Sequence, residues 1–424
     1  MRTKIFLFLC VCLVFTFCKP PTQTIENWYQ FRGPNGQGIS QSTGLPTHWD
    51  REENVAWKTE IPGEGWSSPI VWNNHIFLTT TTEEGANCHV IALDRKTGKI
   101  LWDRIVFTQA PNQHRHPMNS YATPTPVTDG TTVFAVFSSG GFVALDFNGN
   151  ILWTNTETID FHSQHGLSAS PILHGDLLIL PIDHSNYDYP RRLGWLDPWD
   201  KSFVLALDKN TGTERWRSMR GMSRIAHATP AMMLVGDEYQ IVSSAGDVIQ
   251  GFDPTDGKLL WTIPSAGEPS VPSSVIGNGL VFTAPTGGRA PIRAVRPTAD
   301  GNAELVWEAT GSTPTMSSFL FIEPLLIACP DNRVVALDAE TGEVVWEVPV
   351  RIGPLNPSPI YADGKIYVFS EHGTTAVLQL AADRRTPPEV IAINELDELS
   401  RASIAVAGNQ LLIRTESTLW AIGK

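Results

Sequence analysis

The sequence predicts an all-β fold: an eight-bladed β-propeller of four-stranded antiparallel blades. Three observations carry this expectation. A hairpin phrase recurs along the chain, a tryptophan closes each copy, and an N-terminal strand supplies what the last copy lacks. The phrase reads VIALDRKTGKILW at Val90–Trp102, VLALDKNTGTERW at Val204–Trp216 and VVALDAETGEVVW at Val334–Trp346. Looser copies are VALDFNGNILW at Val143–Trp153 and IQGFDPTDGKLLW at Ile249–Trp261. The apolar V-x-A-L-D half has the pattern of a buried strand. Asp94, Asp208 and Asp338 then open a turn whose backbone their carboxylates can accept hydrogen bonds from. Gly98, Gly212, Gly257 and Gly342 sit where that turn needs positive φ.

Trp57, Trp102, Trp153, Trp216, Trp261, Trp307 and Trp346 follow one another at intervals of 39 to 63 residues. That is the length of one four-stranded blade. A small sheet with two apolar faces cannot bury both alone, and radial stacking covers them. An indole at one fixed place per unit is expected to dock neighbouring blades.

A second phrase precedes each hairpin, as in SSPIVWNNHIFLTT from Ser67, SASPILHGDLLILPI from Ser168 and PSPIYADGKIYVFS from Pro357. It reads as an inner strand, a tight turn and a second strand. Its small Ser and Ala residues fit where strands crowd the central axis. The eighth unit begins near Ser400 and stops at Lys424 without a closing strand. NVAWKTEI, at Asn54–Ile61, can supply it, which joins the chain ends and removes an open edge. Seven blades is the runner-up, because the seventh and eighth repeats are the most degraded.

Residues 1–18 read as an export signal, with Arg2 and Lys4 ahead of the apolar run Ile5–Phe17. Cys18 ends that run, in a placement that resembles a bacterial lipoprotein processing site. The expectation is a lipid anchor through Cys18, a tether over 19–30 and one propeller over 31–424. Ordinary signal cleavage close by is the alternative. The expected location is the periplasm, with the ring monomeric and membrane-anchored. Cys88 and Cys329 fall in blades one and six, too far apart in the ring to pair. A formal net charge of −13 argues against nucleic acid as a partner.

The motif A-x-D-x-x-T-G-x-x-x-W, at Ala92–Trp102, Ala206–Trp216 and Ala336–Trp346, resembles that of bacterial propellers built from PQQ-like (quinoprotein-type) repeats. The resemblance runs from about Trp28 to Lys424. The opening WYQFRGPNGQGIS and the later GEGWSSP further resemble exported PQQ-like propellers. More distantly, the chain resembles the lipoprotein scaffold of the outer-membrane β-barrel assembly machinery. The enzyme branch, quinoprotein alcohol dehydrogenase, implies a Cys-Cys disulfide against the quinone, an opposing Trp, and calcium held by Glu, Asn and Asp. Beyond Cys18 this sequence has no Cys-Cys pair, and it has no C-x-x-C-H haem site. Soluble sugar-dehydrogenase relatives do without the disulfide, so the enzyme reading stays open.

Departures from a repeat are loops, and loops carry sites. The widest interval contains PIDHSNYDYPRRLGWLDPWDK, Pro181–Lys201, with His184, Tyr187, Tyr189, Arg191, Arg192, Trp195 and Trp199. Tyr, Trp and Arg together have the composition of a binding hot spot; a lid packing its own aromatics is the equal alternative. His114, Arg115 and His116, then His162 and His165, then Arg224 and His227 precede inner strands of successive blades. These residues are expected on one face near the channel mouth. Their spacing matches no standard zinc motif, and no Ser-His-Asp set is ordered by a local motif. Glu371 and His372 form a secondary candidate at the outer end of a hairpin.

The leading expectation is a non-enzymatic exported module binding a protein or polysaccharide partner, with no cofactor. The first alternative is a periplasmic alcohol or sugar dehydrogenase using PQQ with calcium; the second is sugar binding without chemistry. A funnel floored by carboxylates and roofed by Trp would favour the enzyme. A funnel plugged by Pro and apolar side chains would favour the scaffold.

Overall fold

The computed structural model describes residues 26–423 apart from 110–115, 158, 160, 164, 187–191, 266, 268 and 287–289. Its strands form eight four-stranded sheets, and within each blade all pairings are antiparallel. Blade 1, with the longest strands, runs Ile70–Trp72, His75–Thr82, Asn87–Asp94 and Ile100–Thr108. Blade 8 takes Ala405–Ala407, Gln410–Arg414 and Thr418–Ile422 from the C-terminus. Its outer strand is the N-terminal Val55–Glu60, with Lys58 opposite Trp420 and Gly423 N–H donating to Asn54 O at 2.8 Å. The ring is therefore eight-bladed, and its last blade is closed by the N-terminal strand.

Burial follows from stacking. The second and third strands are buried on both faces, because each lies between two neighbouring blades. The outer strand alternates, as in Val55–Glu60, because one face meets solvent. The core is a series of layers between blades. Val133 and Ala135 pack with blade 1, and the intervening Phe134 and Val136 pack with blade 3.

The closing tryptophans bond across the blade junctions. Trp57 Nε1 donates to Arg95 O, Trp102 to Phe147 O, Trp153 to Lys209 O and Trp216 to Pro254 O, at 2.8–3.0 Å. Trp307 donates to Ala339 O and Trp346 to Arg384 O. Each acceptor lies in the turn between the third and fourth strands of the next blade. In five of the six turns a glycine takes positive φ and lies under the incoming ring; the blade 7 turn that receives Trp346 has none. A Cβ on Gly98 would stand 2.4 Å from Trp57, and one on Gly257 2.4 Å from Trp216. Asp94 and Asp208 accept backbone N–H bonds inside these turns.

Trp261 departs from this pattern. Its Nε1 donates to Gln240 Oε1 of its own blade at 2.7 Å. Blade 5 lacks the T-G turn, and its Gly301 has nothing within contact distance. Gly251 stands where the other phrases carry Ala, and a Cβ there would lie 2.1 Å from Trp261 Nε1. The glycine gives the indole room to fold back. Blade 7 has no closing Trp, and the corresponding turn of blade 8 is where the two chain ends meet.

A second ring of bonds runs around the channel. Two residues before each inner strand, a backbone N–H donates to the hydroxyl of the equivalent residue in the next blade. The chain of donors is Ser68 to Thr125, Thr125 to Ser170, Ser170 to Thr229 and Thr229 to Ser273. It continues from Ser273 to Ser318, Ser318 to Ser358, Ser358 to Ser403 and Ser403 to Ser68. All eight lie at 2.9–3.0 Å, and the circle closes.

The N-terminal segment plugs the far end of the channel. Trp28 O accepts from Val71 N–H, Tyr29 O from Thr128 N–H, and Gly38 O from Tyr361 N–H. Gln37 Oε1 accepts from Ile276 N–H. These are the inward edges of blades 1, 2, 7 and 5, whose N–H groups need partners. The buried Arg32 guanidinium bonds to Phe319 O in blade 6. Burial pushes it down to about 9. Trp28 and Gln30 are buried, so packed structure already begins inside the 19–30 stretch assigned to a tether. The signal and Cys18 lie outside the described residues. Among the described residues, no helix is long and apolar enough to cross a membrane.

Two stability outcomes follow. Ser318→Ala orphans the Ser273 N–H and should cost about 1–3 kcal/mol in urea unfolding. Gly251→Ala should cost roughly 1–3 kcal/mol through overpacking. That second cost should largely vanish in a Trp261→Ala background, a coupling that a double-mutant cycle measures.

Candidate functional site

The channel end opposite the plug is a funnel of about 470 Å³. Its wall is the hydroxyl ring, and Phe31 of the plug reaches it from below. On its other side the plug borders a second cavity of about 610 Å³, against blades 3 to 5. The turns between second and third strands gather at the funnel mouth. So do the connections that lead into the inner strands. Loops from several blades can therefore converge there.

Three of the candidate imidazoles meet at this mouth. His116 and His165 stand 4.6 Å apart edge to face, and His165 lies 4.2 Å from the Trp195 indole. His227 Nε2 is 3.4 Å from His165 Nδ1. Burial first, then neighbouring His116, push the His227 imidazole down to about 4. It is neutral at physiological pH, so it can accept a hydrogen bond but carries no charge. Met118 N–H donates to His116 Nδ1 at 3.2 Å.

The remaining candidates lie elsewhere. His162 Nδ1 bonds Ser185 O at 2.9 Å, and His184 packs between Phe161 and Phe203. Neither lines the funnel. Arg224 sits on the rim, paired with Asp247 and donating to Leu196 O at 2.8 Å. Arg192 is exposed and paired with Asp197. His114, Arg115, Tyr187, Tyr189 and Arg191 lie outside the described residues. Glu371 is a correction. It is buried beside the funnel, not at an outer hairpin end, and pairs with Arg401 while accepting from Asn356 Nδ2. The turn that carries it points to the axis because it joins second and third strands.

Trp66, Asn119, Phe31 and Arg401 also line the funnel, and sequence reasoning did not single them out. Their available signal was position, since Trp66, Asn119 and Arg401 precede the small-residue phrases of blades 1, 2 and 8. The Arg401 guanidinium lies 5.5 Å from the Trp66 ring centroid. Its charge is met by Glu371.

The donor set bears on PQQ with calcium. Calcium takes six to eight oxygen ligands, typically with carboxylates among them. Among the described residues, no Asp or Glu lines the funnel. No group of three or more His, Cys, Asp or Glu is placed to hold a metal ion among them either. The indoles of Trp66 and Trp195 meet one part of the enzyme criterion, but the Phe31 floor does not supply the carboxylates. These residues do not fit calcium.

Comparison with known proteins places the repeats. The family model described as outer membrane protein assembly factor BamB matches residues 41–195, 200–321 and 304–422. The outer membrane protein assembly factor BamB of Moranella endobia is 23% identical over 199 residues. That stretch is 42% of this chain and spans half the length of that relative. Among solved structures, BamB from Moraxella catarrhalis superposes with a TM-score of 0.61 at 14% identity, covering 87% of this chain and 97% of that one. Quinohemoprotein alcohol dehydrogenase from Comamonas testosteroni gives 0.67 at 11% identity, covering 94% and 81%. Likenesses at such identity establish the shared fold alone.

The His227 shift has a measurable consequence. An unfolded histidine protonates near pH 6.5, whereas folded His227 stays neutral to about 4. Its contribution to stability is therefore complete above pH 6.5 and is lost as pH falls towards 4. The melting temperature should drop over that window, and His227→Asn should flatten the drop.

Proposed function

The chain belongs to the family described as outer membrane protein assembly factor BamB, and from that premise we propose a non-enzymatic scaffold of the cell envelope that binds a protein partner at the funnel-mouth rim. The observation that carries this reading is a set of exposed apolar side chains on a braced loop and on the segment it pairs with at Ser223. Leu196 is 57% exposed and Met222 61% exposed, with Leu193 exposed beside them. Contiguous apolar surface rimmed by polar residues marks interaction sites, and Leu196 and Met222 are the two most exposed large apolar side chains among the described residues.

The loop is held in place. Leu196 and Asp197 N–H groups both donate to Arg192 O at 2.9 Å. Trp199 and Ser223 exchange backbone bonds at 2.9 and 3.1 Å. Asn186 N–H donates to Leu193 O at 3.0 Å, and Arg224 Nε to Leu196 O. Such bracing lowers the ordering cost of association.

On this reading the chain is exported to the periplasm as a monomeric ring. Lipid on Cys18 would hold it at a membrane. The described chain meets the ring at the channel end opposite the funnel, where Asn27 Oδ1 accepts from Asn73 N–H at 2.7 Å.

Capture from an envelope extract tests the reading. Immobilised wild-type ring should retain a protein that Leu196→Asp with Met222→Asp retains at least about tenfold less, as a central hot spot requires. Melting temperatures of the two should agree. Equal capture by both would place the partner site elsewhere.

A further inference from the structure

Some polar atoms of the funnel's lining residues have no partner among the described residues. Among the described residues, Trp66 Nε1 and Arg401 Nε are buried donors with no protein acceptor, and Thr286 Oγ1 is buried without a partner. All three residues line the funnel. Trp66 is 7% exposed. Native proteins rarely leave such groups unpaired, and each exception calls for an explanation such as a bound molecule. In addition, each ring hydroxyl uses an oxygen lone pair to accept a neighbouring N–H and keeps its own O–H to donate.

The described lining carries little fixed charge. No described carboxylate lines the funnel, the Arg401 charge is met by Glu371, and His227 is neutral. An anion would find no free cation among the described lining residues, and the net charge of −13 repels it at long range. A cation would find no carboxylate. A purely apolar ligand would leave the indole and guanidinium N–H groups unsatisfied. The polar groups sit among flat or flexible apolar ones, namely Trp66, Trp195, Phe31, Met118 and Met316.

We propose that the funnel binds the end of a neutral saccharide. The C–H faces of a sugar ring suit the two indoles and the Phe31 floor. Its oxygens suit the ring hydroxyls and the orphan N–H groups. Its hydroxyl protons suit acceptors such as Asn356 Oδ1. A cavity of about 470 Å³ lies within the range of small-ligand sites. The proposal stands apart from partner docking, because Leu196 and Met222 do not line the funnel.

Calorimetric titration of the whole folded ring tests it. The probes are glucose, N-acetylglucosamine, maltose and chitobiose, with glucuronate and PQQ plus calcium as charged comparisons. At least one neutral sugar should bind one per ring and quench indole fluorescence. Trp66→Phe, which keeps the ring face and removes the N–H, should weaken binding about five- to tenfold. Trp195→Ala should weaken it more than about tenfold, consistent with losing an aromatic anchor. Leu196→Asp with Met222→Asp should leave it unchanged. Three results would overturn the proposal: no heat with any neutral sugar at millimolar concentration, binding indifferent to both tryptophan substitutions, or tighter binding of a charged comparison. Melting temperatures check that each variant is folded.

Discussion

The circle of eight inter-blade hydrogen bonds from Ser68 back to Ser68 is the constraint on which the rest of the ring depends. Inner strands are edge strands that face a channel, so their backbone donors have no sheet partner. One donor per blade is satisfied by the hydroxyl of the next blade. That requirement admits Ser or Thr and little else, because the side chain must be short and must carry an acceptor. It also ties each blade to its neighbour at the axis, where the contact area between sheets is least.

At the outer circumference the tryptophans do the corresponding job. Six of the seven donate to a carbonyl in the next blade's turn, and in five of those turns a glycine leaves room for the indole. The departures are consistent with one another. Blade 5 has no T-G turn to receive Trp261, and Gly251 lets that indole fold into its own blade. Blade 8 has no such turn because the chain ends meet there, and blade 7 has no closing Trp. The buried Arg414 helps to close the blade 8 to blade 1 seam through Ser67 O and Thr79 O, both at 2.9 Å.

The funnel follows from these two circles together with the plug. The hydroxyl ring defines a small polar wall, and the N-terminal segment closes one end of the channel. Loops from consecutive blades bring imidazole, indole and guanidinium to the other end. A scaffold that repeats eight times thus acquires a site that does not repeat, because the mouth is built from residues that lie between repeats.

Much of the architecture was legible in the chain. The V-x-A-L-D…T-G…W phrase, its spacing and the unfinished eighth unit determine blade count, strand order and closure by Asn54–Ile61. Those features are local, and each repeat states them again. Convergence of His116, His165 and His227 was legible for the same reason, since equivalent positions in a ring must share a face. Only the tertiary structure decided that Trp28–Ser40 plugs the channel, that eight hydroxyls form one closed circle, and that Glu371 and Arg401 pair beside the funnel. The plug joins residues to partners more than two hundred positions away, such as Gln37 to Ile276. No repeat phrase encodes such contacts. They exist only once the ring has closed and set the channel's size.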